Sequence, residues 1–476
     1  MKQMYAGFQM ADMTPETGGI PLSGWGSTHL RLAANVADPI MCNVLALGND
    51  GKVELLVVNV DLIGIQYDKV NRFRKAINAA TGVPCENIIV SGTHTHSGPD
   101  IESSLDTIKT YLTHCEQVMA DCALRAVADM KPAKVFYGKN EVGKPGMRMN
   151  FVRHYTMTDV AFKDHPQDGP VYYSGNNFGF QYTMEPDKYI YTGHESEADP
   201  ELQLVEFRRE NADTIMLVNF QSHALISSGV ASTRMTSDFT GPLCKHLMDT
   251  IPNTKAVYIQ GCCGNINPGT RIREEALLGI NFDPFSANDD SENDHRAYGM
   301  ILAMYAKEIH EKKLVESKSG DFKFLQTKVH AQCDHSNDAR VPEIMPCIEK
   351  FNKEGNTREV IAFANSLGLN SPYTAIGILG RSRLPEYVDV EVNAVRFGDA
   401  SLVTAPFEVY DQIGRHVKAE TPFGCTLVQC YSCGNYSYLP AEGTIDTSYE
   451  RDNTRFVRGT AEQIGNAQLE LLNKLK

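Results

Sequence analysis

Val90-Ser-Gly-Thr-His94-Thr-His96-Ser-Gly-Pro99 is the stretch that indicates most about the fold of this chain. Residues 87–90, apolar after Asn87, predict a buried strand, and the glycines and proline that follow predict a loop. Residues two apart in extended backbone point to the same side, so the rings of His94 and His96 can face one cleft. Histidine is the most frequent metal ligand, although two histidines in a surface turn would leave the same pattern. The stretch therefore predicts a strand that ends at a candidate metal site.

Three further segments bring residue types that bind metals to the ends of predicted strands. They are His223 after strand 214–220, Glu408 after strand 401–405, and Tyr436 and Tyr438 after strand 426–431. Each has an ordinary structural explanation: a core histidine, a glutamate at a helix N-terminus, and tyrosines that pack. Two histidines, one carboxylate and an open position make a hydrolytic zinc site. The segments together predict such a site if folding brings them together.

Apolar periodicity alternates between strands and helices along the chain, which predicts an α/β fold. The remaining predicted strands are 53–65, 202–208, 256–260 and 388–397. The predicted helices are 68–80, 107–130, 294–312, 408–420 and 460–475. The tracts 140–200 and 269–293 are irregular, and loops of that length usually form walls or lids of a functional site. No linker divides the sequence, so we expect one large catalytic domain over residues 1–476.

Composition narrows the class of protein. The 476 residues include 45 basic and 59 acidic side chains, a net charge of −14. An acidic chain without a basic block is a poor binder of nucleic acids and anionic membranes. No apolar run approaches about 18 residues, so no transmembrane segment is expected.

The first residues contain no apolar region typical of a secretory signal, which predicts a cytoplasmic protein unless a leader has been removed. Most of the 12 cysteines are then expected to be reduced thiols. Cys430 and Cys433 form a CxxC without a second pair, which we interpret as incidental spacing.

Five motifs stand in a defined order along the chain. They are Phe8–Pro15 with Pro21–Gly26, the histidine stretch 92–99, Gly261–Pro268, Pro406–Glu408 and the tyrosine block 436–449. Together they resemble the neutral (non-lysosomal) ceramidase superfamily, in its N-terminal catalytic domain. The resemblance implies a mixed β-sheet core flanked by helices, without the C-terminal immunoglobulin-like domain of those enzymes.

The resemblance also implies a zinc ion with four ligands, namely His94, His223, Glu408 and Tyr438. It implies four catalytic residues, namely His96, Arg153, Tyr449 and Asn267. Asn267 stands where the family has a serine, and its amide can donate a hydrogen bond but cannot act as a hydroxyl. Asp61 and Asp238 are expected to orient the histidine ligands.

The predicted function is that of a zinc-dependent hydrolase that cleaves an amide (N-acyl) bond. Ceramide is one candidate substrate, but polar and aromatic residues in the irregular tracts suit a hydroxyl-rich or amide-bearing small molecule. They are Tyr172, Tyr173, Asn176, Asn177, Tyr182, Tyr189, Tyr191 and His194. Two alternatives stay open: hydrolysis of an ester, lactone or glycoside-like bond in a polar metabolite, and a non-catalytic metal- or ligand-binding protein. The expected partner is a small-molecule or lipid-like substrate, and an oligomer is possible.

Overall fold

The computed structural model describes residues 3–16, 18–24, 31–143, 149–174, 188–228, 232–269, 294–444 and 448–476. Within these ranges the α-helices are α1 (Tyr67–Thr81), α2 (Asp106–Ala128), α3 (Thr240–Thr250), α4 (Asp294–Lys312), α5 (Val341–Glu354), α6 (Arg358–Ser366), α7 (Pro372–Ser382), α8 (Asp411–Glu420), α9 (Tyr449–Asn453) and α10 (Thr460–Leu475).

The strands of the same ranges are β1 (Met4–Asp12), β2 (Asn35–Val36), β3 (Met41–Asn49), β4 (Lys52–Val60), β5 (Ile88–Gly92), β6 (Lys131–Glu141), β7 (Asn150–Val152), β8 (Tyr155–Asp159), β9 (Tyr172–Ser174), β10 (Tyr189–His194), β11 (Glu201–Arg209), β12 (Thr214–Phe220), β13 (Arg234–Met235), β14 (Thr254–Gln260), β15 (Ile266–Pro268), β16 (Val315–Glu316), β17 (Phe322–Gln332), β18 (Tyr387–Phe397), β19 (Ala400–Thr404), β20 (Glu408–Val409), β21 (Cys425–Gln429) and β22 (Tyr438–Leu439).

Two mixed sheets form the centre of the fold. The larger has the order β14-β12-β11-β6-β1-β3-β4-β5, with β16 added beside β6, and the smaller has the order β17-β18-β19-β21. Most neighbours are antiparallel, but β4–β5, β12–β14 and β19–β21 are parallel. The predicted α/β fold with a mixed sheet core is confirmed.

The two sheets pack face to face, with helices on their outer faces. Alternate residues of β3 explain the arrangement: Leu45 and Leu47 point into the core shared with Val395 and Leu402 of the smaller sheet, whereas Val44 lies in the core beneath α1 and α2. Helices α3 and α4 cover the β12–β14 end of the larger sheet, and α8 and α10 cover the smaller sheet. Because both faces are covered, β3 is buried along almost its whole length.

The predicted elements agree with the structure to within two residues, with two exceptions. The strand predicted over 53–65 ends at Val60 in β4, because the chain turns there and the Leu62 N–H donates to the Val60 carbonyl at 2.9 Å. The segment 408–420 was expected to be helical throughout, but α8 begins only at Asp411. Glu408 instead lies in β20, where its N–H donates to the carbonyl of Ser437 at 2.9 Å and its strand runs parallel to β22. The helical prediction for residues 408–410 is therefore wrong, because pairing with a distant strand overrides the local pattern.

Helices α5, α6 and α7 were not predicted, and they form a satellite apolar core of their own. Most of the irregular tract 269–293 lies outside the described residues, as do parts of 140–200. None of the helices in the described ranges is long and apolar enough to span a membrane.

Candidate metal centre

The candidate site forms where the carboxyl ends of strands from both sheets meet. His94 and His96 follow β5, His223 follows β12, Glu408 follows β19, and Tyr438 lies in the segment after β21. Each of these strands has a parallel neighbour, and ligand sites of α/β proteins lie at such strand ends. The fold therefore brings together side chains that are far apart in the sequence.

Three histidines and one carboxylate converge in this place. His94, His96 and His223 offer ligand nitrogens within 4.8 Å of one another, a group that could hold a metal ion. Glu408 Oε2 lies 3.3 Å from His223 Nε2 and 3.6 Å from His94 Nε2. All four residues are buried, with at most 8% of their surface exposed.

The donor atoms fit a small divalent cation. Within the described part of the chain, His223 Nε2 and Glu408 Oε2 are buried and have no hydrogen-bond partner. Zinc ligands at about 2.0–2.1 Å from the ion in tetrahedral geometry lie roughly 3.3 Å from one another. The separations of Glu408 from the two histidines are close to that value, so one ion could contact all three side chains.

Backbone carbonyls fix the orientation of two of the imidazoles. His94 Nδ1 lies 2.6 Å from the carbonyl oxygen of Ile63, and His223 Nδ1 lies 3.0 Å from that of Ile266. A carbonyl only accepts hydrogen bonds, so Nδ1 carries the proton in both rings and the Nε2 lone pair faces the cluster. This is the tautomer that a metal ligand requires.

Asp61 and Asp238 do not have the predicted role of orienting these rings. Asp61 accepts hydrogen bonds from the Met41 N–H and the Thr93 hydroxyl. The Asp238 carboxylate accepts from the N–H and hydroxyl of Ser227. Both carboxylates stabilise loops around the site. The sequence could not indicate that main-chain carbonyls orient the histidine rings.

Burial keeps the imidazoles neutral. It lowers the pKa of His94 and of His223 to about 3. Burial, and then the neighbouring His94 and His223, hold the pKa of His96 well below its usual value. Neutral imidazoles are the form that binds metals.

The loops at the site adopt strained backbone conformations. His94, Tyr431, Cys433 and Ser437 have positive φ angles of 65°, 53°, 63° and 69°. Non-glycine residues rarely occupy this region, and such conformations concentrate at functional sites. The result at Tyr431 is a ring stacked on His94, with centroids 3.9 Å apart and planes 13° apart.

The other predicted residues lie beside the histidines. Tyr438 pairs with Glu408 in the β20–β22 register. The Arg153 guanidinium carbon is 5.2 Å from the ring centre of Tyr438 and 5.9 Å from that of Tyr449. His96, predicted to be a catalytic residue, lies beside the predicted ligand His94, with the two Nε2 atoms 3.1 Å apart.

Asn267 lies in β15 opposite Phe151. It is 4% exposed, and its Oδ1 has no hydrogen-bond partner among the described residues. The preceding residue, Ile266, is the one whose carbonyl orients His223. An amide here can accept a hydrogen bond from a ligand.

Aromatic residues of the tract 140–200 form a small cluster next to β7. The ring centroid of His194 lies 5.0 Å from that of Phe151 and 5.9 Å from that of Tyr191. Tyr172 and Tyr189 pack edge to face. Of the other predicted wall residues, Asn176, Asn177 and Tyr182 lie outside the described residues.

Sequence reasoning missed several residues that touch the predicted ones. Glu450 pairs with Arg153 and His154, and the ring of Tyr373 lies 5.8 Å from that of Tyr449. Glu450 directly follows a predicted catalytic tyrosine, which was the one local signal. Tyr373 comes from α7, which no motif marks.

Comparison with known proteins gives similarity at the level of structure. No family model and no curated protein matches the chain. The crystal structure of neutral ceramidase from Pseudomonas aeruginosa matches with a TM-score of 0.67 and 18% sequence identity, over 100% of this chain and 75% of that chain. The chain has the neutral ceramidase fold. A ceramidase complexed with C2 matches over the same shares of both chains, with a TM-score of 0.65 and 18% identity.

Three of the five motifs lie at the ends of core strands: residues 92–99 begin at the last residue of β5, residues 261–268 follow β14, and residues 406–408 follow β19. At 18% identity the similarity shows the fold alone, so the function has to be argued from the site.

Proposed function

We propose that this protein is a zinc-dependent hydrolase that cleaves an amide (N-acyl) bond. The observation that carries the proposal is the convergence of His94 Nε2, His223 Nε2 and Glu408 Oε2 at distances suited to one ion, inside a neutral ceramidase fold. Neutral imidazoles beside a carboxylate are the donor set of hydrolytic zinc sites. Tyr438, adjacent to Glu408, is the proposed fourth ligand.

When bound, zinc lowers the pKa of a water molecule toward about 7 and polarises a carbonyl group. The chain supplies the remaining groups. Arg153 and Tyr449 are proposed to stabilise negative charge on the carbonyl oxygen, and one such donor is typically worth about 3 kcal/mol. His96 is assigned the proton transfer to the leaving nitrogen. The acyl carbon gains a hydroxyl, the C–N bond breaks, and an amine leaves.

Asn267 supports a second candidate, hydrolysis of an ester, lactone or glycoside-like bond in a polar metabolite. Its buried Oδ1 lacks a partner in the described ranges, and a hydroxyl or amide N–H of a polar substrate would satisfy it. A buried acceptor left unsatisfied typically costs about 1–3 kcal/mol. Ceramide supplies both groups as well, so the choice of substrate rests on assay.

The first experiment measures zinc and turnover in the same samples. Wild type, His94→Ala and His223→Ala are purified with zinc, and metal content is measured by plasma mass spectrometry. His330→Ala is the matched control, because this histidine lies on the surface and its side chain is 67% exposed. We expect one zinc per chain in wild type and control, and none in the two site variants.

The same samples are then assayed for turnover of a short-chain fluorescent ceramide, a panel of polar N-acyl compounds and a panel of polar esters. Turnover of an amide by wild type alone supports the proposal. Turnover of esters only favours the second candidate. Stoichiometric zinc in both site variants would refute the proposed metal site and the hydrolase built on it. Full zinc occupancy in wild type without any turnover would refute the hydrolase and favour a binding protein.

A further inference from the structure

A chain of buried charged side chains extends from Arg153 away from the metal centre. Glu450 is fully buried, and its two oxygens have different partners. Oε1 pairs with Arg153 Nε, and Oε2 lies 2.9 Å from His154 Nε2. His154 Nδ1 in turn lies 2.7 Å from Glu195 Oε2. We call these four residues the buried ion string.

The charges alternate along the buried ion string. Burial opposes ionisation of Glu450, but Arg153 and His154 outweigh it and lower its pKa to about 2. Burial also opposes protonation of His154, but Glu450 and Glu195 outweigh it and raise its pKa to about 9. An unpaired charge at this depth would strongly destabilise the fold. Four alternating charges avoid that destabilisation.

Arg153 is held at two different nitrogens, by Glu450 at Nε and by a main-chain carbonyl at Nη2. Arg153 Nη2 donates to the carbonyl of Gly264, in the turn that leads to Ile266, and the guanidinium carbon lies 5.2 Å from the ring centre of Tyr438. The guanidinium is planar, so holding Nε on Glu450 sets the direction of its remaining N–H groups. Loss of the Glu450 charge would leave the Nε edge of the guanidinium without its ion pair.

The backbone that carries Glu450 is itself anchored from α7. Arg381 Nη1 donates to the carbonyl of Asp452 at 2.6 Å and to that of Thr454 at 2.8 Å. Thr374 donates to the Asp452 carboxylate at 3.1 Å. The unpredicted helix α7 thus holds α9, the short helix that presents Glu450.

We propose that Glu450 is the positioning residue that orients Arg153 against Tyr438, with His154 and Glu195 holding Glu450 in place. Glu450 acts through Arg153, since its ion pairs in the described part of the chain are with Arg153 and His154 and with none of the three histidines of the metal centre. The inference rests on the proposed function, because Arg153 is proposed there to stabilise the oxyanion.

The test compares Glu450→Gln with a matched control. Gln has the same shape and removes only the charge. Glu391→Gln makes the same change at another buried glutamate, which pairs with Arg74 instead. With the best substrate of the panels, Glu450→Gln should lower kcat by about 10²-fold with little change in KM, as for other losses of oxyanion donors. Glu391→Gln should keep kcat within twofold while losing stability.

A second readout needs no substrate. In zinc-loaded protein labelled with ¹⁵N-arginine, the Arg153 Nε–H signal, assigned with Arg153→Lys, should be sharp at pH 7 in wild type and Glu391→Gln. It should be broadened or lost in Glu450→Gln. If wild type turns over nothing, the proposed hydrolase fails, and this signal alone decides the positioning of Arg153.

Glu195→Gln covers the case in which Glu450→Gln does not fold. Its side chain is 23% exposed at the far end of the string, so we expect a smaller loss of kcat in the same direction. An unchanged Arg153 signal in Glu450→Gln would overturn the proposal, as would an equal loss of kcat in Glu450→Gln and Glu391→Gln.

Discussion

A buried ion pair between the two halves of the fold yields a prediction that does not depend on the reaction. Arg74 of α1 holds Glu391 of β18 through two hydrogen bonds of 2.7 and 3.0 Å. Its Nε donates to the carbonyl of Ile88 in β5 at 2.7 Å. The side chains are only 4% and 8% exposed. The pair therefore ties α1 and the larger sheet to the smaller sheet.

Replacing Arg74 with Met keeps most of the aliphatic volume and leaves the Glu391 carboxylate buried without its counter-ion. Removing one partner of a buried pair typically costs about 3–5 kcal/mol. We expect a loss of that size in the free energy of unfolding at pH 7.5. The double variant Arg74→Met/Glu391→Leu should recover most of it, because apolar residues of similar volume often replace a buried pair without loss.

The sign of the pH dependence follows from Glu391. Burial raises its pKa, but Arg74 outweighs burial and holds the pKa below its ordinary value of 4.5. In wild type the pair therefore contributes stability above pH 4.5, and this is lost as the pH falls through the lowered pKa. In Arg74→Met burial acts unopposed by the arginine and raises the pKa, so the variant regains stability as the pH falls toward 4.5.

Urea unfolding followed by far-ultraviolet circular dichroism at pH 7.5 and pH 5.0 measures both effects. The difference between wild type and Arg74→Met should shrink at pH 5.0. The reasoning is refuted if Arg74→Met loses less than about 1 kcal/mol at pH 7.5, or if the double variant is less stable than the single one.

Three further predictions concern the site. Removal of the metal by a chelator should lower the midpoint of thermal unfolding, since a ligand at 100 times its Kd stabilises the folded state by about 2.7 kcal/mol. An unchanged midpoint in calorimetry would contradict a metal at this site. Tyr431→Phe should keep the stack on His94 and the zinc affinity, whereas Tyr431→Ala should weaken the affinity; titration calorimetry giving equal values would argue against the stack. Arg381→Met removes the hydrogen-bond donor of two carbonyls at the end of α9. Each unsatisfied carbonyl should lower the free energy of unfolding by about 1–3 kcal/mol. An unchanged free energy of unfolding in urea would contradict this role of Arg381.

Much of the secondary structure follows from local pattern. The helices at 294–312 and 460–475 and the hairpin of β11 and β12 occur where periodicity predicts them. Glu408 is the instructive exception, because its strand exists only through pairing with Tyr438. Helices α5 to α7 were not anticipated either, since their apolar stripes had no evident partner in the sequence.

The sequence by itself determined which residue types stand at strand ends, and that His94 and His96 can face the same side. Both are consequences of the two-residue period of extended backbone. It also indicated the fold through the order of five short motifs, a fold that the structural comparison confirms.

Only the tertiary structure decided which atoms meet. A metal site requires donor atoms placed to within fractions of an ångström, and the distances from Glu408 to His94 and His223 depend on the packing of two sheets. Every residue type has a main-chain carbonyl, so no sequence pattern could indicate that those of Ile63 and Ile266 orient the histidines. Glu450 resembles any glutamate of a short helix until its burial beside Arg153 is seen, because a carboxylate acquires its role from the charges that surround it in the fold.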